Sequence, residues 1–260
     1  YINSYAKQNY DLINPVMKYI FQIFQKLCNF FFLITSNKQE RALINECINF
    51  EFNTTPKYNL WKTLRLFKKV AKNKRIKHNF VECGVWKGIY LVFFQKLIEM
   101  YTLENCKIYG FDTFEGMPEP TKNDITRHNE SMLDRYNLLK VDKKTSNWNY
   151  TTIDKVKDNY FQNTKKNNNL ILVKGKVEDS LVDNQNIPDE ISILKLDTCL
   201  YTGTKIELDI LFPKVIKDGI IIIDNYFNYK GVKQATDEFF IEKKLNIRYS
   251  KISDRVVIYK

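Results

Sequence analysis

The chain has 260 residues, of which 44% are hydrophobic and 14% aromatic, enough to build a sizeable core. This composition excludes disordered, collagen-like and mucin-like chains, and the length suits one α/β domain with an appendage. The formal net charge of +11 would suit an anionic partner, but the surplus is largely lysine in a background that raises the isoelectric point without making a binding face.

Residues 1–77 contain no strand-like runs and are predicted to be helical, with a break near 53–56. We therefore predict a helical cap over residues 1–75, followed by one domain over residues 76–260. The stretch Lys62–Lys77 is basic and carries no acidic residue. A solvated helix face is the favoured interpretation, and peripheral contact with an anionic membrane is the alternative.

From Phe80 onward, short apolar runs alternate with longer helical segments, the pattern of a parallel sheet covered on both faces. Seven strands are predicted, and only three residues separate the last two, which therefore form an antiparallel hairpin. The predicted fold is an α/β, Rossmann-like, mostly parallel sheet. The strands are predicted at 79–83, 107–111, 170–174, 191–196, 219–223, 247–251 and 255–259.

In such sheets, ligands bind beyond the carboxyl ends of the strands, so the residues after each strand are candidate site residues. The first strand leads into Glu82–Gly88, an acidic loop with two glycines that lacks the full glycine fingerprint of dinucleotide-binding proteins. Asp112 follows the second strand, where an acidic side chain can take both hydroxyls of a ribose. Gly175–Asp179 follow the third strand and are placed to frame a purine.

Two further strands end in oxygen-bearing side chains. Asp197 follows the fourth strand, and Asp224 and Asn225 follow the fifth. An oxygen-only ligand set favours a hard cation, and we predict Mg²⁺. Each aspartate taken alone is explained equally well as a helix cap or a loop hydrogen-bond acceptor, but together they favour a metal site.

Five motifs in order resemble the macrocin O-methyltransferase family. They are FVECGVWKG at 80–88, YGFDTFEGMPEPT at 109–121, LVKGKVEDSL at 172–181, ISILKLDTCLY at 191–201 and GIIIIDNYFNYKGVKQATDEFF at 219–240. That family consists of class I S-adenosylmethionine-dependent methyltransferases that act on sugar hydroxyls in natural products. The resemblance implies an O-methyltransferase, assisted by Mg²⁺, with a sugar, glycan precursor or related natural product as the acceptor.

The resemblance also assigns roles to residues. It places Asp197, Asp224 and Asn225 at the metal. The residues that it places at S-adenosylmethionine are Glu82, Cys83, Gly84, Val85, Gly88, Asp112, Thr113, Phe114, Gly175, Val177, Glu178 and Asp179.

The chain departs from the family at residues that are expected to act in catalysis. Cys199 stands where the family usually has a second aspartate after the fourth strand, and a thiol is a poor base for a sugar hydroxyl. The candidate catalytic residues are then Asp197 and His128, the latter in the stretch Pro120–Arg135, which is predicted to be mobile. These departures favour one alternative function, a catalytically weakened or non-catalytic binding module. An RNA methyltransferase is the less favoured alternative.

The five cysteines are odd in number, widely spaced and without a zinc-ligand pattern, which predicts a reducing, cytoplasmic location. The most apolar stretch, 20–34, is interrupted by polar residues and is too short to span a bilayer. The expected partner is a small-molecule or glycan acceptor, nucleic acid is not expected, and the N-terminal helices are candidates for a homodimer contact.

Overall fold

The computed structural model describes residues 23, 27, 28, 30–72, 78–142, 145–165, 169–182, 184–245, 249–252 and 254–260. The chain divides into two compact units, which meet between Thr63 and Leu64 in sequence. The predicted boundary at residue 75 lies outside the described residues. No helix among the described residues is long and apolar enough to cross a membrane.

The first unit is helical wherever it is described in regular structure. Residues 30–35 are helical, and helix α1 spans Lys38–Ile48. It begins at a capping box, in which the Asn37 side chain accepts from the Glu40 backbone N–H and the Glu40 side chain accepts from the Asn37 N–H, both at 2.9 Å. Helix α2, Lys57–Val70, begins in this unit and ends in the second.

The second unit is built on one sheet. Its strands are β1 Asn79–Cys83, β2 Lys107–Asp112, β3 Leu170–Lys174, β4 Ile191–Leu196, β5 Val215–Ile223, β6 Tyr249–Ile252 and β7 Arg255–Tyr259. The seven described strands lie in the order β3-β2-β1-β4-β5-β7-β6. β1 to β5 pair in parallel, and β7 runs antiparallel to both β5 and β6. The predicted class, a mostly parallel Rossmann-like sheet with an antiparallel C-terminal hairpin, is confirmed.

Helices cover the sheet: α3 Ile89–Tyr101, α4 Met132–Leu139, α5 Ile153–Asn163, α6 Val177–Ser180, α7 Tyr201–Leu211 and α8 Lys230–Glu242. Every residue of β1 and β4 is buried, as expected of central strands covered on both faces. β5 begins four residues earlier than predicted, at Val215. A register irregularity next to Ile191 lets Val215 pair there, ahead of the turn-like sequence at 217–219.

The order of the strands decides where a ligand can bind. From β1 the chain proceeds to β2 and β3 on one side, and from β4 it proceeds to β5 on the other. The order therefore reverses between β1 and β4. At such a switch point the following loops separate and leave a crevice at the carboxyl ends of the strands.

Candidate active site

The loop after β1 lies directly against the end of β4. Gly84 has a φ of +81°, and a Cβ on it would lie 2.4 Å from the Asp197 carbonyl oxygen, so only glycine fits there. The Asp197 N–H donates to the Cys83 carbonyl at 2.8 Å. These two contacts bring the predicted cofactor loop and the predicted catalytic aspartate together.

Non-glycine residues adopt the left-handed conformation in the loops after four of the strands. Trp86 follows β1 with a φ of 45°, Phe114 follows β2 with 52°, Cys199 follows β4 with 70° and Asn225 follows β5 with 62°. Such residues are uncommon, and each costs of order 1 kcal/mol or more unless the surrounding structure holds it. Four such residues therefore lie in loops at the carboxyl ends of the strands, where ligands bind in sheets of this kind.

A buried lysine lies at the centre of this edge. Lys195 is fully buried, and its Nζ lies 3.1 Å from Glu82 Oε1, 2.6 Å from Asp197 Oδ2 and 2.8 Å from Asp224 Oδ2. Nζ also lies 4.6 Å from the centroid of the Tyr90 ring. A buried ammonium is tolerated only among such partners. Strand register explains the meeting, because Lys195 pairs with Glu82 on β1 and shares a face of β4 with Asp197 two residues on.

A second cation completes the cluster. Arg255, at the start of β7, is buried and donates from Nη1 to the Tyr90 hydroxyl at 2.7 Å. Its Nε pairs with Asp224 Oδ1. Both oxygens of Asp224 therefore face a cation. Sequence reasoning missed Lys195, Arg255 and Tyr90, although a lysine inside the otherwise apolar run of β4 was a usable signal.

Burial and charge together set the protonation of this cluster. Burial is the largest influence on Glu82 and Asp197, and against the opposing Lys195 it raises the pKa of Glu82 to about 7 and the pKa of Asp197 to about 8. Burial would also raise the pKa of Asp224, but Arg255 and Lys195 hold it below its usual value. Burial disfavours the ammonium of Lys195, yet the surrounding carboxylates raise its pKa well above the ordinary value.

A chain of side-chain amides fixes the orientation of Asn225. Asn228 Nδ2 donates to Asp254 Oδ2 at 3.0 Å and to Asn225 Oδ1 at 3.3 Å. Because a carboxylate only accepts, the Asn228 amide must present its nitrogen to Asp254 and to Asn225. Asn225 is then left to donate from Nδ2 to Asp197 Oδ1, at 2.8 Å.

The three predicted metal ligands thus lie together, but their oxygens are engaged. Lys195 and Arg255 face Asp224, Lys195 faces one oxygen of Asp197, and the nitrogen of Asn225 faces the other. Within the described part of the chain, no three or more His, Cys, Asp or Glu side chains form a group that could hold a metal ion. As folded, this set does not fit a divalent cation.

Asp112 is the last residue of β2 and links two loops at the edge of the sheet. Its Oδ2 accepts from the Trp86 N–H at 2.9 Å and its Oδ1 from the Phe114 N–H at 2.7 Å, so it ties the loop after β1 to the loop after β2. Burial raises the pKa of Asp112, against the lowering effect of these N–H donors. Its charge is also close enough to raise the pKa of Glu82. Thr113 donates from Oγ1 to the Gly116 carbonyl at 2.6 Å and closes the turn.

The other predicted cofactor residues surround this point. The Gly175 N–H donates to the Asp112 carbonyl at 2.9 Å, which brings the loop after β3 beside that after β2. Val177 is buried, Glu178 accepts from the Thr202 hydroxyl at 2.9 Å, and Asp179 is exposed. The remaining three are buried, one at the end of β1 and two in the loop after it: Cys83, Val85 and Gly88.

The two other candidates for proton transfer differ in their surroundings. His128 is exposed, and its Nε2 accepts from the neighbouring Arg127 Nε at 2.9 Å; its role as a base stays a prediction. Cys199 is buried in an apolar cluster, and burial raises the pKa of its thiol well above the ordinary value, as expected of a poor base. The cluster contains Met117, Met132, Tyr136, Trp148, Cys199 and Leu200.

A family model described as macrocin O-methyltransferase matches residues 33–260. The chain belongs to the macrocin O-methyltransferase family. The resemblance predicted from the five sequence motifs is confirmed, and the family match extends beyond residues 79–240, which those motifs cover.

The relatives that match this chain are distant from it in sequence. The demethyldecarbamoylnovobiocin O-methyltransferase of Streptomyces niveus is 24% identical over 62% of this chain and 57% of its own length. A tetracenomycin-C 4'-O-methyltransferase of Streptomyces olivaceus, whose substrate name carries a dimethoxy-rhamnosyl group, is 25% identical over 57% of this chain and 52% of its own length. The chain spans little more than half the length of these curated relatives. The solved structure of the O-methyltransferase NovP shares the fold, at 20% identity and a TM-score of 0.68 over 80% of this chain and 83% of that one.

Proposed function

We propose that this chain transfers a methyl group from S-adenosylmethionine to a hydroxyl group of a sugar, a glycan precursor or a related natural product. The observation that carries the proposal is the convergence of Glu82, Asp112 and Asp197 beside Gly84 at one edge of the sheet. Family membership supports methyl transfer to oxygen. The rhamnosyl substrate named for one relative supports a sugar acceptor.

The donor side of the site fits S-adenosylmethionine. Asp112 accepts from the Trp86 N–H at Oδ2 and from the Phe114 N–H at Oδ1, and the Thr113 hydroxyl lies 3.4 Å from Oδ1. A carboxylate has about four acceptor positions, so Asp112 keeps acceptor capacity for a ribose hydroxyl. Glu82 Oε2 is buried and has no hydrogen-bond partner among the described residues. A buried, unpartnered carboxylate oxygen is suited to a cationic group, such as the amino group of the donor.

Asp197 is the base of the proposed reaction. When bound, S-adenosylmethionine supplies a methyl group on a sulfonium sulfur, and transfer is an in-line displacement at that carbon. Asp197 takes the proton of the acceptor hydroxyl as the oxygen–carbon bond forms and the electron pair of the carbon–sulfur bond goes to sulfur. Its side chain is 28% exposed, whereas that of Lys195 behind it is 1% exposed, so only Asp197 can meet an acceptor. The pKa of about 8 makes the ionised Asp197 a stronger base than an ordinary aspartate, and it requires Asp197 to lose its own proton first.

Two variants separate donor binding from proton transfer. We expect Asp112→Ala to weaken binding of S-adenosylhomocysteine by about 1–3 kcal/mol, the usual loss for a charge-assisted hydrogen bond. We expect Asp197→Asn to keep that affinity within a few fold and to lose methyl transfer. Calorimetric titration measures the first effect, and transfer of a labelled methyl group to a panel of glycosides measures the second.

Each variant is the control for the other. An Asp112→Ala chain with wild-type affinity for S-adenosylhomocysteine would contradict the ribose role. An Asp197→Asn chain that still methylates an established acceptor at the wild-type rate would contradict the assignment of the base.

The alternative is a binding module of the same fold that holds S-adenosylmethionine without turning it over. The observation that favours it is the buried, unreactive thiol of Cys199 next to Asp197. Donor binding without methyl transfer to any member of the glycoside panel would support this alternative.

Three further proposals concern the cellular location of the chain, its oligomeric state and its contact with a membrane. All five cysteines are free thiols, which supports a reducing, cytoplasmic location. The first unit exposes large apolar side chains, which supports a homodimer, and the basic stretch Lys62–Lys77 supports peripheral contact with an anionic membrane. Light scattering and sedimentation with anionic vesicles test the last two. The exposed apolar side chains are Ile23, Leu27, Phe30, Phe31, Leu33 and Ile34.

A further inference from the structure

We propose that the Lys195 ammonium and the Arg255 guanidinium stand in this chain where a divalent cation would otherwise join Asp197 to Asp224, so that methyl transfer proceeds without a metal. The inference rests on the proposed function. It concerns only how the acidic residues beside the acceptor are neutralised and held.

Lys195 occupies the position between Asp197 and Asp224 that a bridging cation would take. Its Nζ lies within 2.8 Å of one oxygen of Asp197 and one of Asp224, so the ammonium bridges the two carboxylates as an ion would. A divalent cation bound between the same oxygens would have to share their space with this ammonium. Lys195 is fully buried and held by Glu82 as well, which leaves it no solvent-exposed position to adopt.

Arg255 closes the remaining side of Asp224. Its Nε pairs with Oδ1, the oxygen that Lys195 does not contact, while Nη1 is held by the Tyr90 hydroxyl. Both residues come from strands, β4 and β7, whose backbones are fixed in the sheet. The cations are therefore part of the fold and are in place before any ligand arrives.

Asn225 gives an independent indication. The acceptor-only carboxylate of Asp254 orients Asn228, and Asn228 in turn orients Asn225, so that a nitrogen faces Asp197 Oδ1. An amide that serves as a metal ligand must present its oxygen. The amide chain thus turns the third predicted ligand into a hydrogen-bond donor to the base.

Lys195, Arg255 and Asn225 are positioning residues in this arrangement. Lys195 and Asn225 each engage one oxygen of Asp197 and fix the plane of its carboxylate, whose exposed side stays open to the acceptor. The Lys195 ammonium also balances its charge, which is the task that a metal would perform.

Mn²⁺, which stands in for Mg²⁺, provides a direct test by electron paramagnetic resonance. We expect the wild-type chain to leave the spectrum of free Mn²⁺ unchanged at millimolar concentrations, with and without S-adenosylhomocysteine. Bound Mn²⁺ in the wild-type chain that is lost in Asp197→Asn would overturn the proposal. This measurement needs no variant that removes a buried charge.

Removal of the ammonium should create a metal site. We expect Lys195→Met to bind Mn²⁺ that the wild-type chain does not bind, and Lys195→Met/Asp197→Asn to lose it again. Lys205→Met, which removes a partly exposed lysine paired with Glu242, is the matched control and should bind none. A Lys195→Met chain that folds by circular dichroism and binds no Mn²⁺ would contradict the claim that Lys195 excludes the ion. If Lys195→Met does not fold, the Mn²⁺ spectrum recorded with the wild-type chain alone tests the proposal.

Donor binding is measured by calorimetry with S-adenosylhomocysteine on separate samples, one with EDTA and one with Mg²⁺. Absence of donor binding in both samples would overturn the proposed function, whereas binding only with Mg²⁺ would overturn the metal-free proposal. The Mn²⁺ spectra report on the exclusion of the metal separately.

Discussion

At the scale of single residues, Glu207 is a buried acidic side chain whose surroundings near the site control its protonation. It lies on α7 and is fully buried, and burial raises its pKa well above the ordinary value, against the lowering effect of the Thr198 and Cys83 side chains. Thr198 directly follows Asp197, so Glu207 lies under the loop that carries the proposed base. The raised pKa means that the folded chain holds a proton on this carboxyl group at pH values where the unfolded chain has lost it.

Glu207 therefore makes stability depend on pH in a definite direction. In the unfolded chain a glutamate titrates near pH 4.3, so above that pH folding must take up a proton at Glu207, and the free energy of unfolding falls as the pH rises toward the folded pKa. The loss is about 1.4 kcal/mol for each pH unit within this window. Glu207→Gln cannot ionise, and we expect it to reduce this fall from about pH 5 upward.

Urea unfolding of both chains across this pH range measures the difference. Asp209→Asn, which changes an exposed acid on the same helix, is the matched control and should keep the wild-type slope. A Glu207→Gln chain with the same pH slope as the wild type would show that Glu207 is ionised in the folded protein.

Individual residues of the site could be predicted from the sequence only where they lie at the end of an apolar strand. Asp112 ends β2, and Asp197 directly follows β4. The carboxyl ends of parallel strands meet at one edge of the sheet, so both side chains are expected there. The meeting of Lys195 with Glu82 and of Arg255 with Asp224 depends on register between strands far apart in sequence. Periodicity indicates which face a side chain takes, but it does not indicate which residue of another strand lies opposite.

At the scale of elements, the segment 117–131 is attached to two helix N-termini. Asp124 is buried; its Oδ1 accepts from the N–H of Tyr201 at the start of α7, at 2.9 Å, and its Oδ2 from the Thr121 N–H at 2.8 Å. The Lys230 N–H, at the start of α8, donates to the Ile125 carbonyl at 3.0 Å. A carboxylate at the N-terminus of α7 is also favoured by the helix dipole.

We expect Asp124→Ala to lower the free energy of unfolding by about 1–3 kcal/mol, because it leaves buried N–H groups without their acceptor. Amide hydrogen exchange at Lys230 and Tyr201 should accelerate with it, since both amides belong to this attachment. Asp134→Ala removes an exposed acid from the neighbouring α4 and serves as the control. Equal stability of the two variants would contradict the attachment.

The strands were more predictable than this segment. Buried parallel strands are continuous apolar runs, and β1, β3, β4 and β7 have their predicted bounds. The stretch Pro120–Arg135 is predicted from the sequence to be mobile. The attachment of Asp124 to α7 joins residues 77 positions apart, and no local pattern indicates it.

At the scale of the whole molecule, a chain with a net charge of +11 gathers carboxylates at one edge of its sheet. Glu82, Asp112, Asp197 and Asp224 come from four different strands, and the switch point between β1 and β4 brings their ends together. Lys195 and Arg255 balance part of this charge, and the acceptor oxygens that remain on Glu82 and Asp112 suit a donor that carries an amino group and a diol. The fold therefore accounts for the choice of donor that family membership implies.

The most direct test is a crystal structure of the chain with S-adenosylhomocysteine. We expect the ribose hydroxyls to lie within hydrogen-bond distance of Asp112 and the sulfur to face the open side of Asp197. A ligand bound away from this edge, or one whose sulfur lies on the side of the sheet opposite to Asp197, would contradict it.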